Sequence, residues 1–144
     1  MKMLVRLIIL CTSMAFVMCK GEGSKPNVPP QYEEHVFVVN IVDNPEKLKE
    51  YLTYHSHVWP EVEAGFKKAG YERIALYRFD KLIVMTVRVP VGANLDQMGK
   101  LAESYSPKCA EWNALMDTYQ QGVSGTAAGQ KWTETNLFYE FKHK

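Results

Sequence analysis

Apolar and polar positions change period several times along this chain, and each change marks an element. Residues 35–43 (HVFVVNIVD) are β-branched and apolar with partial alternation, which predicts a strand. Asp43-Asn44-Pro45 then reads as a helix start, a capping side chain followed by a proline at the first helical position. Residues 46–57 place Leu48, Tyr51, Leu52 and His55 on one helical face. Pro60 stops that helix, because it lacks an N–H and its ring clashes with the carbonyl four residues back. The same proline opens a second helix, with Glu61 and Glu63 at its positive end and Gly70 as its C-terminal cap.

Residues 72–79 (ERIALYRF) and 82–89 (LIVMTVRV) predict two strands joined through Asp80-Lys81 as a hairpin. Residues 95–105 and 107–119 predict helices divided at Ser106-Pro107. A glycine-rich loop follows at 122–129 (GVSGTAAG), and 136–142 (NLFYEFK) reads as the last strand. The order β-α-β-β-α-β is the ferredoxin-like pattern: an α+β fold whose antiparallel sheet carries its helices on one face. The other face must meet water, a partner or a pocket, and small domains of this kind often pair sheet to sheet.

The front of the chain follows different rules. Lys2 and Arg6 precede a short apolar run that ends at Cys19, too short to span a bilayer comfortably. This resembles a bacterial lipoprotein signal, with Cys19 as the acylated residue, although Phe16-Val17-Met18 lacks the usual small residue before the cysteine. The expected organisation is a leader at 1–19, a Gly- and Pro-rich tether at 20–34 and a domain at 35–144. The protein is then exported and touches a membrane only through its N-terminal lipid; a plain secretory peptide or an uncleaved anchor is the alternative reading of the same segment.

Composition narrows the function classes. The 144 residues suffice for one modest domain, and the net charge of +1 comes without a basic run or stripe, so nucleic acid is not an expected partner. Three cysteines form no CxxC, and no HxxxH or HExxH occurs, so neither a disulfide framework nor a metal site is expected. Cys109 reads as a buried small residue. The glycine-rich loop lacks the phosphate-binding patterns.

Candidate chemistry concentrates in residues 51–61, YLTYHSHVWPE. Tyr51, His55 and Trp59 are spaced i, i+4, i+8 and would share a helical face, while His57 points elsewhere. Such a face can be core packing. A central histidine, however, needs hydrogen-bond partners if buried, and a helix break there is locally costly. Imidazole moves protons near neutral pH, and aromatic rings stack on sugars. Trp112 reads as core, and Trp132 either closes over a pocket or anchors the loop before it.

The succession YxxxHxxVWPE, AG, LYRFD, LIVMTV, EWNALM and KW before an aromatic end resembles the L-rhamnose mutarotase family over residues 35–141. The resemblance implies a dimeric α/β barrel that interconverts sugar anomers, needs no cofactor and works as a homodimer. It implies His55 as the acid/base residue, with Tyr51 and Trp112 contacting a small sugar; Trp59, on the same predicted helical face, and Tyr77, in the predicted strand, are further candidates for substrate contact. The sequence departs from that family's pattern at Ile74, where a sugar-binding tyrosine is usual, and at Asn113, where a second tryptophan is usual. These departures weaken L-rhamnose as the expected substrate and leave L-fucose or another 6-deoxy-hexose as a competitor. Two other readings stay open: a sugar-binding lipoprotein without activity, and another enzyme of the same fold, such as a monooxygenase-like protein.

Overall fold

The computed structural model of the protein describes residues 31–143. The leader, Cys19 and residues 20–30 of the tether lie outside the described residues.

The chain runs β1 (Tyr32–Ile41), α1 (Pro45–Ser56), α2 (Pro60–Ala69), β2 (Arg73–Phe79), β3 (Leu82–Pro90), α3 (Leu95–Glu103), α4 (Pro107–Asp117), β4 (Gln120–Gln121) and β5 (Thr133–Glu134). The first strand takes in Tyr32–Glu34, which the sequence reading assigned to the tether. The local signals set the helix ends. Asn44 caps α1, its side-chain oxygen accepting from the amides of Glu46 and Lys47 at 2.9 and 3.1 Å. Asn94 and Ser106 cap α3 and α4 in the same way. Gly70 closes α2 at φ 91°, a left-handed conformation that glycine adopts without penalty. Asp80 turns the β2–β3 hairpin at φ 53°, a region that aspartate tolerates better than most residues.

The sheet is antiparallel, in the order β2-β3-β1-β4, with β5 also pairing β1. Register sorts its two faces. Val39 pairs with Ile83, and His35 with Val87. These positions, with Ile41 and Val89, face the helices. Val39, Ile41 and Ile83 pack with Tyr51, Trp112 and Met116 in one cluster. Val87 and Val89 pack with Ala69, Met98 and Ala102 in a second. Residues between them in register, among them Val36, Val38, Val84 and Thr86, form the opposite face, which no helix among the described residues covers.

Two expectations need correction. The sheet is open and not closed into a barrel: β2 pairs only with β3, so its outer edge has no neighbour among the described strands. The last strand is also misplaced by the sequence reading. Pairing with β1 occurs at Thr133–Glu134, and it ends where the Thr135 amide donates to the Val36 carbonyl at 2.8 Å. Residues 136–142 are extended in propensity but form no strand. Strand propensity describes a residue's fit to a sheet, and does not supply the neighbouring strand that must be there to pair.

Candidate active site

A cavity of about 700 Å³ opens between α1, α4 and the helix-facing side of β2 and β3. His55 reaches it from the last turn of α1. Its Nδ1 lies 2.9 Å from the carbonyl oxygen of Tyr51, one turn earlier. A carbonyl only accepts, so Nδ1 carries the hydrogen and neutral His55 keeps the lone pair on Nε2. Burial disfavours the imidazolium and lowers the His55 pKa, opposed in part by the bond to the Tyr51 backbone. The side chain is therefore neutral at pH 7, the state a base requires.

Tyr51 is only 1 % exposed, and its ring centroid lies 4.2 Å from that of His55. Burial pushes its pKa up to about 12, opposed in part by the neighbouring Gln120 side chain. It keeps its proton throughout the neutral range. Trp112 forms a wall, its indole 5.4 Å from the imidazole at a steep angle.

Ile74, Tyr77, Asn113 and Trp132 also line the cavity. Tyr77 comes from the opposite side of β2, in register with Val84, and reaches the rim because β2 is an edge strand. Its hydroxyl accepts from the Arg73 guanidinium at 3.2 Å. Asn113 donates to Glu103 at 2.9 Å.

Trp59 is placed differently. The helix ends at Ser56, so Trp59 cannot continue the face of Tyr51 and His55. It becomes the N-cap of α2 and packs edge-on behind Trp112 at 5.3 Å, outside the cavity wall. His57 also leaves the site: it caps α1, is exposed and bonds Ser56 Oγ through Nδ1 at 2.9 Å. Cys109 is buried, its thiol donating to the Glu61 carbonyl at 3.3 Å.

Sequence reasoning missed Gln120, which follows the last helix and carries no local signal. It also missed the clasp behind Trp132. Lys131 pairs with Asp117 at 2.7 Å, fastening the end of the glycine-rich loop to α4. Asp117 itself borders the cavity.

A neutral base with a defined tautomer, a protonated phenol and flat apolar walls in one cavity suit general acid–base chemistry on a small polar ring. Comparison with known proteins agrees. The family model of L-rhamnose mutarotase matches residues 34–141.

The chain belongs to the L-rhamnose mutarotase family.

This is a family of sugar mutarotases, and its members differ in the sugar for which they are named. The chain is 31 % identical over 106 residues to an L-fucose mutarotase of Xanthomonas campestris pv. campestris, covering 72 % of this chain and 83 % of that one. It is 33 % identical over 79 residues to an L-rhamnose mutarotase of Klebsiella pneumoniae, covering 53 % and 68 %. A crystal structure of an L-rhamnose mutarotase from Formosa agariphila shares the fold, with a TM-score of 0.50 at 14 % identity, over 78 % of this chain and 99 % of that one.

Proposed function

We propose that this mutarotase-family protein interconverts the α and β anomers of a 6-deoxy-hexose, with His55 as the proton-transfer residue. The observation that carries the reading is the contact between His55 Nδ1 and the Tyr51 carbonyl, which leaves Nε2 basic inside the cavity.

Mutarotation opens a hemiacetal. A base takes the anomeric O–H proton while an acid protonates the ring oxygen. The ring C–O bond breaks, the aldehyde carbon rotates, and the reverse transfers close the other anomer. His55 Nε2 is the base in this scheme. Tyr51, which holds its proton with a pKa of about 12, supplies a hydrogen bond or the second proton. Trp112 offers an apolar plane to the C–H side of the sugar and its 6-methyl group. The net proton count does not change and no electrons are exchanged, so the scheme requires no cofactor. Saturation-transfer NMR between anomers of L-rhamnose and L-fucose tests it. Catalysed exchange is expected; binding without exchange would instead make the protein a sugar-binding lipoprotein.

The reading extends to the protein's setting. It acts as a homodimer, and as an exported lipoprotein acylated at Cys19, with residues 20–31 spacing the domain from the membrane. The basic residues before the apolar run and the cysteine at its end support the anchor. Mass spectrometry of the native membrane fraction should find a mature chain starting at Cys19 with attached lipid. An unmodified chain starting elsewhere would remove the anchor.

A further inference from the structure

The aromatic residues around the His55 cavity differ in how much surface they leave for a ligand. Tyr51 and Trp112 are 1 and 5 % exposed, because both rings pack into the core with Val39, Ile83 and Met116. Trp132 lines the same cavity but is only half-buried, and it touches that core from outside. Of the three rings it keeps the most surface free.

Both chain neighbours of Trp132 are fastened. On one side Lys131 Nζ reaches the end of α4, where it pairs with the Asp117 carboxylate at 2.7 Å and donates to the Asp117 carbonyl at 2.5 Å. A cation there also suits the negative end of the helix. On the other side Thr133 pairs with Val38 in the sheet, and its hydroxyl meets that of Thr126 at 2.7 Å. The glycine-rich loop is packed on itself, since a methyl group on Gly122 would lie 2.8 Å from Thr126 Cβ. An indole fixed at both neighbours is pre-positioned, so little freedom is lost when a ligand stacks on it.

We infer that Trp132 contacts the substrate, stacking on the C–H face of the bound sugar and setting a preference for rings with an axial C4 hydroxyl, such as L-fucose. Lys131 and Asp117 are its positioning residues. The inference rests on the anomer-exchange reading above and names the sugar shape that the site favours. Stacking needs an unbroken apolar patch. When the C4 hydroxyl is axial, the hydrogens on C3, C4 and C5 share one face of the ring, and the C6 methyl extends it. When that hydroxyl is equatorial, as in L-rhamnose, the C4 hydrogen turns to the other face and the patch is broken. Asn113 of α4 and Gln120 of β4 line other parts of the cavity and suit the hydroxyl edge of the sugar.

Saturation-transfer NMR, giving KM and kcat for anomer exchange of L-fucose and L-rhamnose, tests the inference beside ligand-observed NMR of sugar binding. The wild type should favour L-fucose. Trp132→Ala should raise the KM for L-fucose about tenfold with kcat little changed, as expected for one lost stacking contact, and should raise that for L-rhamnose less. Lys131→Met should shift KM the same way, and Lys131→Arg, which keeps the pair with Asp117, should restore it. Should Trp132→Ala lose its near-ultraviolet signals, Trp132→Tyr and Trp132→Leu serve instead: both fill the space, and only tyrosine keeps a ring, so only leucine should raise KM. Exchange that is catalysed while the Trp132 variants leave KM unchanged, or while both sugars lose equally or L-rhamnose is favoured, overturns this inference and leaves the activity standing. Binding without exchange, weakened for L-fucose by Trp132→Ala, removes the activity and upholds the contact. A wild type that neither binds nor exchanges either sugar removes both.

Discussion

His55 Nδ1 and the Tyr51 carbonyl oxygen are 2.9 Å apart, one helical turn from each other on α1, and that contact decides which imidazole nitrogen is free. The imidazole is oriented by the helix backbone itself.

Replacing His55 with alanine should lower catalysed anomer exchange by ~10²–10⁴-fold, the usual worth of a general acid–base group, while leaving the melting transition near its wild-type position. His57→Ala should keep most of the activity, because His57 is exposed and outside the cavity. Saturation-transfer NMR on both variants decides the matter, and equal losses in the two would sink the assignment.

The His55 pKa lies below the ordinary histidine value because burial disfavours the cation. Exchange should therefore be level above pH ~6.5 and fall as pH drops through the depressed value. Stability follows the same sign. The folded state binds the proton less readily than the unfolded one, so the contribution is complete above the unfolded pKa of ~6.5 and shrinks below it. Tyr51 and Tyr119 act in the opposite direction, since burial raises both to about 12. Their contribution is complete below pH ~10 and is lost as pH climbs toward 12. A rate profile and a set of melts across pH check the two limbs.

Ile74 and Asn113 both line the cavity, and the family resemblance implies a larger aromatic at each position. Ile74→Tyr combined with Asn113→Trp should raise exchange of L-rhamnose relative to L-fucose. A ratio change of about tenfold corresponds to one hydrogen bond gained or lost. An unchanged ratio would show that these two positions do not set preference.

Gly65 lies where α2 crosses α3. A methyl group there would sit 2.7 Å from the Ala102 carbonyl oxygen and 3.3 Å from Cys109 Sγ. The nearer contact is backbone and cannot swing away. Gly65→Ala should destabilise the domain by about 1–3 kcal/mol, the cost of overpacking, and thermal or urea unfolding measures it. Gly99, with open space around it, should accept alanine.

What the sequence made legible was local. Asn44-Pro45, Trp59-Pro60, Gly70 and Ser106-Pro107 act within one turn of themselves, so helix limits followed from a few neighbouring residues. The catalytic candidate was legible for the same reason: Tyr51 and His55 lie one turn apart on a single helix. Trp59 was misplaced because its spacing counted on a helix that its own neighbour Pro60 interrupts. Gln120 and the Lys131–Asp117 pair depend on how distant segments return to one another, which periodicity does not encode. The final strand failed in the same way: NLFYEFK has the composition of a strand, but a strand is defined by its neighbour. The barrel came from resemblance alone, and the edges of the sheet decide against it.

All three tryptophans of the chain converge on one corner of the fold. Trp112 and Trp132 border the cavity, and Trp59 touches Trp112 from behind at 5.3 Å. A molecule entering the cavity displaces water from two of these indoles, and the third is close enough to exchange excitation with its neighbour. Native emission thus arises almost wholly at the site, and occupancy becomes an optical signal of the unlabelled protein, apart from any turnover.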